Sequence, residues 1–527
     1  MKYVIRLLCL VFIFTANLSA KVSVPSIFSD GMVLQADKGA KIWGTAQKDA
    51  DIEVVFGKTR KRTKADSKGN WSVDLGELKT SSVNGVLEIY ENSKKAKAIK
   101  DVLVGQVWIC GGQSNMQYTF GEMPEDTRAP LQAKADSIKN IREFFIPFCS
   151  LAETPQADFP PRSSWIKADS KTFKRLGALG YLFAARISEA NGSTPVGIIM
   201  TPMGATPMIS WIPEDSVDKN AYTKKRWEQF SKDKASYTQA EYEKALKKYE
   251  EGMKKYSKAV REALESKNPK PRFNWTEHVK PSKITPWWEV RTPVYFWNAK
   301  IAPLAGYAAR GILWYQGESD THPIDAEENF EESFKILIQR WRQAWNEADM
   351  PFIAVQLASF KNRNDRGWAG VRNGQLSAIG ELKNCGIATA IDLGEEKNIH
   401  PKYKKELADR LADVALRDVY GQDKGTVYGP ICKAVKFEKN KAILKFDMDG
   451  SRFVVKGKLR GFRTLEGGKW VEPKAVKISG DSIIITGNKD IDGVDYLQKA
   501  WAQPDVCLYN KEGLPAFPFS KTKAQKK

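Results

Sequence analysis

Beyond the N-terminal apolar segment, hydrophobic and polar positions alternate in short runs for about the first hundred residues. Lys41-Ile42-Trp43-Gly44, Ile52-Glu53-Val54-Val55-Phe56-Gly57 and Gly69-Asn70-Trp71-Ser72-Val73 are separated by turn residues. A period of two predicts strands with one buried face, and this spacing predicts a small β-sandwich over residues 21–101. From Val102 the pattern changes to continuous apolar runs at Val102 to Cys110, Pro195 to Met200, Gly311 to Tyr315, Phe352 to Leu357 and Gly386 to Asp392. Between them lie helical segments such as Leu179 to Ala190 and Phe330 to Trp345. That alternation predicts an α/β domain over residues 102–420, a parallel sheet flanked by helices. A charged stretch at about 214–281, with Tyr242 to Tyr249 at helical spacing, predicts a helical insertion into it. Short strands return after Tyr420, at Ala442 to Phe446 and Ser482 to Thr486, and predict a C-terminal β-domain over residues 421–527.

At 527 residues the chain is longer than one compact core usually allows, and 42% hydrophobic residues with 16 Trp exclude a disordered chain. Met1 to Ala20 sets Lys2 and Arg6 before the apolar run Leu7 to Ala16, which reads as a signal peptide cut after Ala20 and predicts export. The run is too short to span a bilayer, and no later segment is suited to membrane insertion. Removing Cys9 from six cysteines leaves Cys110, Cys149, Cys385, Cys432 and Cys507. An odd number with no CxxC pair predicts buried thiols, with neither a disulfide framework nor a metal site. The net charge of +20 is spread over scattered lysines without a nucleic-acid-binding module. It predicts a solvated surface with a general attraction for anionic glycans, and no nucleic-acid partner.

In open α/β sheets the active crevice lies beyond the carboxyl ends of the strands, so the residues after each strand carry the candidate chemistry. After Val107 to Cys110 comes Gly111-Gly112-Gln113-Ser114-Asn115-Met116, where glycines allow a sharp turn that presents Ser114 as a nucleophile. The alternative for Ser114 is a helix cap. After Val196 to Met200 comes Gly204, whose N–H can face a developing oxyanion. After Gly311 to Tyr315 comes Gln316-Gly317-Glu318-Ser319-Asp320, in which Gln316 can donate to the same oxyanion. Glu318 and Asp320 raise a glycosidase reading, but their place on one loop argues against carboxylates on opposite sides of a sugar. A serine nucleophile needs a base with a near-neutral pKa, and the chain has three histidines: His278 in the insertion, His322 after the Gln316 loop, and His400 after the last strand.

Together these stretches resemble the sialate O-acetylesterase family of SGNH-type carbohydrate esterases. The likeness covers nearly the whole mature chain: Ile27 to Gln35, Gly112-Gln113-Ser114-Asn115-Met116, Ile301-Ala302-Pro303-Leu304, Trp314-Tyr315-Gln316-Gly317-Glu318-Ser319, Ile399-His400-Pro401 and Leu508 to Ala516. The resemblance implies an SGNH-hydrolase-like fold and a serine esterase that removes O-acetyl groups from sialic acids or related glycans without metal or cofactor. It implies Ser114 as nucleophile, His400 as base, and the N–H of Ser114 with Gly204 and Gln316 as oxyanion donors.

The chain departs from the family pattern at three places. Ala205 stands where relatives often have Gly, and Asp320 where they often have Asn. Lys397 and Asn398 occupy the positions three and two before His400 where an Asp is usual, leaving Asn398, Asp392, Glu395 or Glu396 to orient the imidazole. His322 and Asp320 are candidate sugar contacts. The alternatives to sialic acid are acetylated xylan or pectic glycans, or a glycan-binding homologue with impaired turnover.

Overall fold

One long strand, β1 (Lys94–Gly112), organises the molecule. This computed structural model describes residues 22–523 apart from 136, 139, 148–150, 267–270, 272–279, 287–290 and 362. The segment expected to be a signal peptide, Cys149 and His278 therefore lie outside the described residues. The first half of β1 pairs antiparallel with Ser81–Glu91 in the N-terminal sheet. Its second half enters the central sheet, buried at every position from Val102 to Gly112. The domain boundary expected at 101/102 thus falls inside a continuous strand. It is marked by Asp101, at φ +57, whose carboxylate takes two hydrogen bonds from the buried Arg142, at 2.8 and 2.9 Å.

Six parallel strands form the central sheet, with one antiparallel strand at its edge. In chain order they are β1, β2 (Ile141–Phe145), β3 (Ser164–Lys167), β4 (Val196–Met200), β5 (Gly311–Tyr315), β6 (Phe352–Gln356) and β7 (Cys385–Thr389). Their spatial order is β7-β6-β5-β1-β4-β2-β3, and only the β2–β3 pair is antiparallel. The apolar runs expected as strands are β1 and β4 to β7, each fully or nearly fully buried. Strand β2 was not expected because it carries Arg142 and Glu143. Both are buried at 4% and 3% exposure, Arg142 against Asp101 and Glu143 against the Gly177 N–H at 2.9 Å.

Besides a short helix at Glu125–Gln132, the helices are α1 (Ser114–Gln117), α2 (Ala178–Ala190), α3 (Ala221–Ser236), α4 (Gln239–Glu265), α5 (Pro323–Trp345), α6 (Asp365–Glu381) and α7 (Lys404–Asp418). Packed pairs, α2 with α7 and α5 with α6, cover the sheet. The insertion is the pair α3 and α4; Thr238 and Glu241 start α4 with a reciprocal capping box. Among the described residues no helix is long and apolar enough to cross a membrane. Cys110, Cys432 and Cys507 are buried free thiols, and Cys385 is half-buried.

After α7 the chain builds two four-stranded antiparallel sheets and a two-stranded one around a second core that includes Leu444, Ile483, Ile485 and Tyr496. Arg372 of α6, fully buried, fastens this part to the α/β part. Its guanidinium donates to the carbonyls of Lys499 and Ala500, at 2.8 and 3.1 Å, and to those of Leu357 and Ala358, both at 2.9 Å.

Candidate active site

Strand β1 ends in a turn that only glycine permits. Gly112 has φ +131, and a β-carbon there would lie 2.1 Å from the Tyr315 carbonyl oxygen of β5. The next residue continues the stitching: the Gln113 N–H donates to that same oxygen at 2.9 Å. Its buried side-chain Oε1 accepts from the N–H groups of Gly317, at 3.4 Å, and Ser319, at 3.2 Å. Ser114 then begins α1, half-buried, at the carboxyl edge of the sheet. The loop after β4 closes over it. The Met203 N–H donates to the Gly112 carbonyl at 3.1 Å, and a β-carbon on Gly204 would stand 3.4 Å from the Ser114 β-carbon. The Gly204 N–H donates at 2.6 Å to Oε1 of Gln117, a half-buried side chain on the nucleophile's own helical turn.

His400 reaches the same edge from the loop between β7 and α7. Asn115, beside Ser114, donates through Nδ2 to the Ile399 carbonyl, beside His400, at 3.0 Å. Among the described residues no direct hydrogen bond joins the Ser114 hydroxyl to the His400 ring; the loops are joined one residue away on each side. Contacts between nucleophile and base are often long before substrate binds. Burial holds the His400 pKa below its ordinary value of 6.5. The ammonium of Lys404 lowers it further, and the carboxylate of Glu122 opposes the shift. A neutral imidazole is the form a general base needs.

Neither Asn398 nor Asp392 is placed to orient that imidazole, which corrects both expectations. Asn398 bonds the backbone of His400: its Oδ1 accepts from the N–H at 3.0 Å and its Nδ2 donates to the carbonyl at 2.7 Å. Asp392 gives both oxygens to Arg410, at 2.7 and 2.8 Å. Glu395 accepts from the Lys402 N–H at 2.8 Å, and Glu396 pairs with Lys361. These groups shape the loop and leave the ring to its surroundings. His322 sits at the start of α5 with its side chain 70% exposed, 3.3 Å from Asp325. It is open to solvent and does not line the cavity beside His400.

Gln316 is fully buried, and its Nε2 donates to the Thr206 carbonyl at 3.1 Å and to Asp320. Both amide hydrogens are engaged, as the Gly204 N–H is by Gln117, so service as an oxyanion donor requires Gln316 to give up one of these bonds. In this arrangement it braces the Gly204 loop against the loop after β5. Asp320, expected as a sugar contact, is buried at 5% exposure and also accepts from the Met208 N–H at 3.0 Å. Burial raises its pKa, with Gln316, its largest opposing partner, pulling the other way.

Sequence reasoning missed Gln113, Asn115, Gln117, Glu122 and Lys404. Asn115 and Lys404 lie within four residues of the two reactive candidates, but an Asn or a Lys beside a turn reads as surface. An open cavity of about 390 Å³ beside His400 is lined by Tyr118, Glu122, Glu395, Asn398 and Lys402. A larger hollow, about 720 Å³, lies at the opposite ends of the strands near Pro351 and Cys385, away from every candidate reactive group.

Comparison with known proteins identifies the family. The family profile described as "Carbohydrate esterase, sialic acid-specific acetylesterase" matches residues 104–269 and 280–417, more than half of the chain. The sialate O-acetylesterase of Rattus norvegicus is 25% identical over 541 aligned positions, covering 94% of this chain and 93% of that protein. The Homo sapiens sialate O-acetylesterase is 25% identical over 452 positions, covering 80% and 75%. Among solved structures, a carbohydrate acetylesterase from Xanthomonas citri superposes with a TM-score of 0.77 at 26% identity, covering 95% of this chain and all of that one.

Proposed function

The chain belongs to the sialic acid-specific acetylesterase family of carbohydrate esterases, and from that premise we propose that it removes O-acetyl groups from sialic acids by acyl transfer through Ser114. It is a carboxylic ester hydrolase of O-acetylated carbohydrates. The observation that carries the serine mechanism is the Asn115 to Ile399 hydrogen bond, which joins the Ser114 turn to the His400 loop. We assign the α/β part to the SGNH type on Ser114, Gly204 and His400, each beyond the carboxyl end of its strand. We infer from Met1 to Ala20 that the protein is exported.

In the first half-reaction His400 takes the Ser114 hydroxyl proton while Oγ attacks the acetyl carbon. The oxyanion is met by the N–H of Ser114 and by that of Gly204 once Gln117 releases it. The bond to the sugar oxygen breaks, and that oxygen takes the proton from the imidazolium. Water then attacks the acetyl-enzyme, with His400 again the base, and acetate leaves. Burial and the neighbouring ammonium keep His400 in the neutral form that both halves require.

Acetate release from O-acetylated sialic acid, acetylated xylan and acetylated pectin, by the wild type and by Ser114→Ala, tests this reading. The expected result is release from sialic acid above the other two, and none by the variant. Full turnover by Ser114→Ala would remove the serine mechanism, and release from xylan or pectin alone would replace the substrate.

A further inference from the structure

We propose that Lys404, Asn115 and Glu318 form a buried clamp that positions His400 against Ser114, with Lys404 as a positioning residue for the reaction; the proposal rests on the esterase reading of that pair. Lys404 is the first residue of α7 and is 1% exposed. Its ammonium donates to Asn115 Oδ1 at 2.7 Å. It also lies 4.9 Å from the centre of the Tyr118 ring and 5.7 Å from that of Tyr315. Burying an ammonium costs several kcal/mol unless partners compensate. Packing alone would be served by a methionine of similar length.

On the far side of the same amide is Glu318, 5% exposed, whose Oε1 accepts from Asn115 Nδ2 at 2.5 Å. The second oxygen of Glu318 is buried without a hydrogen-bond partner among the described residues. Asn115 therefore meets three groups with one side chain: the Lys404 ammonium at the start of α7 on its carbonyl, and the Glu318 carboxylate and Ile399 carbonyl on its NH₂ group. The orientation suits the charged pair, because an ammonium can only donate and an ionised carboxylate can only accept. The clamp holds together the ends of β1, β5 and β7, which carry Ser114, Gln316 and His400.

The clamp also sets charge at the base. The charged groups around His400 are Lys404 on α7, Lys402 and Glu395 on its own loop, and Glu122 after α1, with the Tyr118 ring 6.4 Å away. Burial brings Lys404 itself down to about 7, against the pull of Glu318, Glu395 and Glu122. The positive charge that lowers the pKa of the imidazole thus depends on partners gathered at this one point.

The test is steady-state kinetics on 4-nitrophenyl acetate across pH for Lys404→Met, beside Ser114→Ala. The expected result is a kcat lower by about tenfold or more with KM nearly unchanged. The acid limb of kcat/KM should also move to higher pH, because the imidazole holds its proton more tightly without the ammonium. Were Lys404→Met to misfold, Glu318→Gln keeps the size and an acceptor for Asn115, and should lower kcat without changing KM. A folded Lys404→Met with unchanged kcat and acid limb, or a Glu318→Gln with wild-type kcat, would overturn the clamp. An active Ser114→Ala would overturn the esterase mechanism instead, so the two failures are distinguishable.

Discussion

The Ser114 turn and the His400 loop meet at the same edge of the sheet but are held there by different forces. Ser114 is placed by backbone: β1 is paired on both sides, Gly112 adopts φ +131 against the Tyr315 carbonyl, and Gln113 is bonded to the end of β5 through its main chain and to the loop after it through its side chain. His400 stands in a loop without regular structure and is placed by the side chains of Asn398 and Glu395 and by the bond from Asn115 to Ile399. A nucleophile fixed by sheet register resists most side-chain changes nearby. A base fixed by side chains can be displaced by single substitutions that leave the fold intact.

Removing the reacting groups themselves should have the largest effect. Ser114→Ala and His400→Ala should each lower turnover on every acetyl ester by about four powers of ten, with stability changed by no more than about 1 kcal/mol. His322→Ala should alter only the preference among sugars, as kcat/KM on small and sugar esters would show. Equal losses on both ester classes with His322→Ala would move the base to that residue.

The next effect separates the two supports. Gly112→Ala places a methyl group into the Tyr315 carbonyl at a φ hostile to alanine, and should cost about 3 kcal/mol or more in denaturant unfolding. Asn398→Ala should instead keep stability within about 1 kcal/mol while lowering kcat about tenfold, through a loosened His400 backbone. The opposite pattern would reverse the comparison.

The charge around His400 gives a smaller, pH-dependent effect. The base acts when neutral, and burial with Lys404 holds its pKa below 6.5. The acid limb of kcat/KM should therefore fall below pH 6.5, with activity retained above it and lost as the imidazole protonates. A limb above that value would contradict the assigned surroundings.

Ala205 gives the smallest effect. It sits at φ +62, beside Gly204, where an alanine is strained and a glycine is not. Ala205→Gly should raise stability by up to about 1 kcal/mol, the relief of strain partly offset by the greater freedom of glycine in the unfolded chain.

The same contrast explains what the sequence revealed. Strands such as Gly311–Tyr315 are buried on both faces and announce themselves as apolar runs, and the glycine turn after β1 marks Ser114. Strand β2 was hidden because Arg142 and Glu143 are satisfied by partners distant in sequence, Asp101 and Gly177. Asn115 and Lys404 were hidden for the same reason, since Asn115 bonds Ile399 and Lys404 far along the chain. That Asp392 is spent on Arg410 and Gln316 on the Thr206 carbonyl are facts of tertiary pairing, which no spacing encodes, whereas the Asn398 side chain closes locally on the His400 backbone two residues on.

The central claim, an acetyl group passing through Ser114, is tested most directly by mass spectrometry of the protein quenched during turnover of an acetyl ester. One acetyl group should be carried on the peptide containing Ser114 and be absent from Ser114→Ala. Acetyl on another residue, or turnover with no protein-bound acetyl under conditions where deacylation is rate-limiting, would contradict the account.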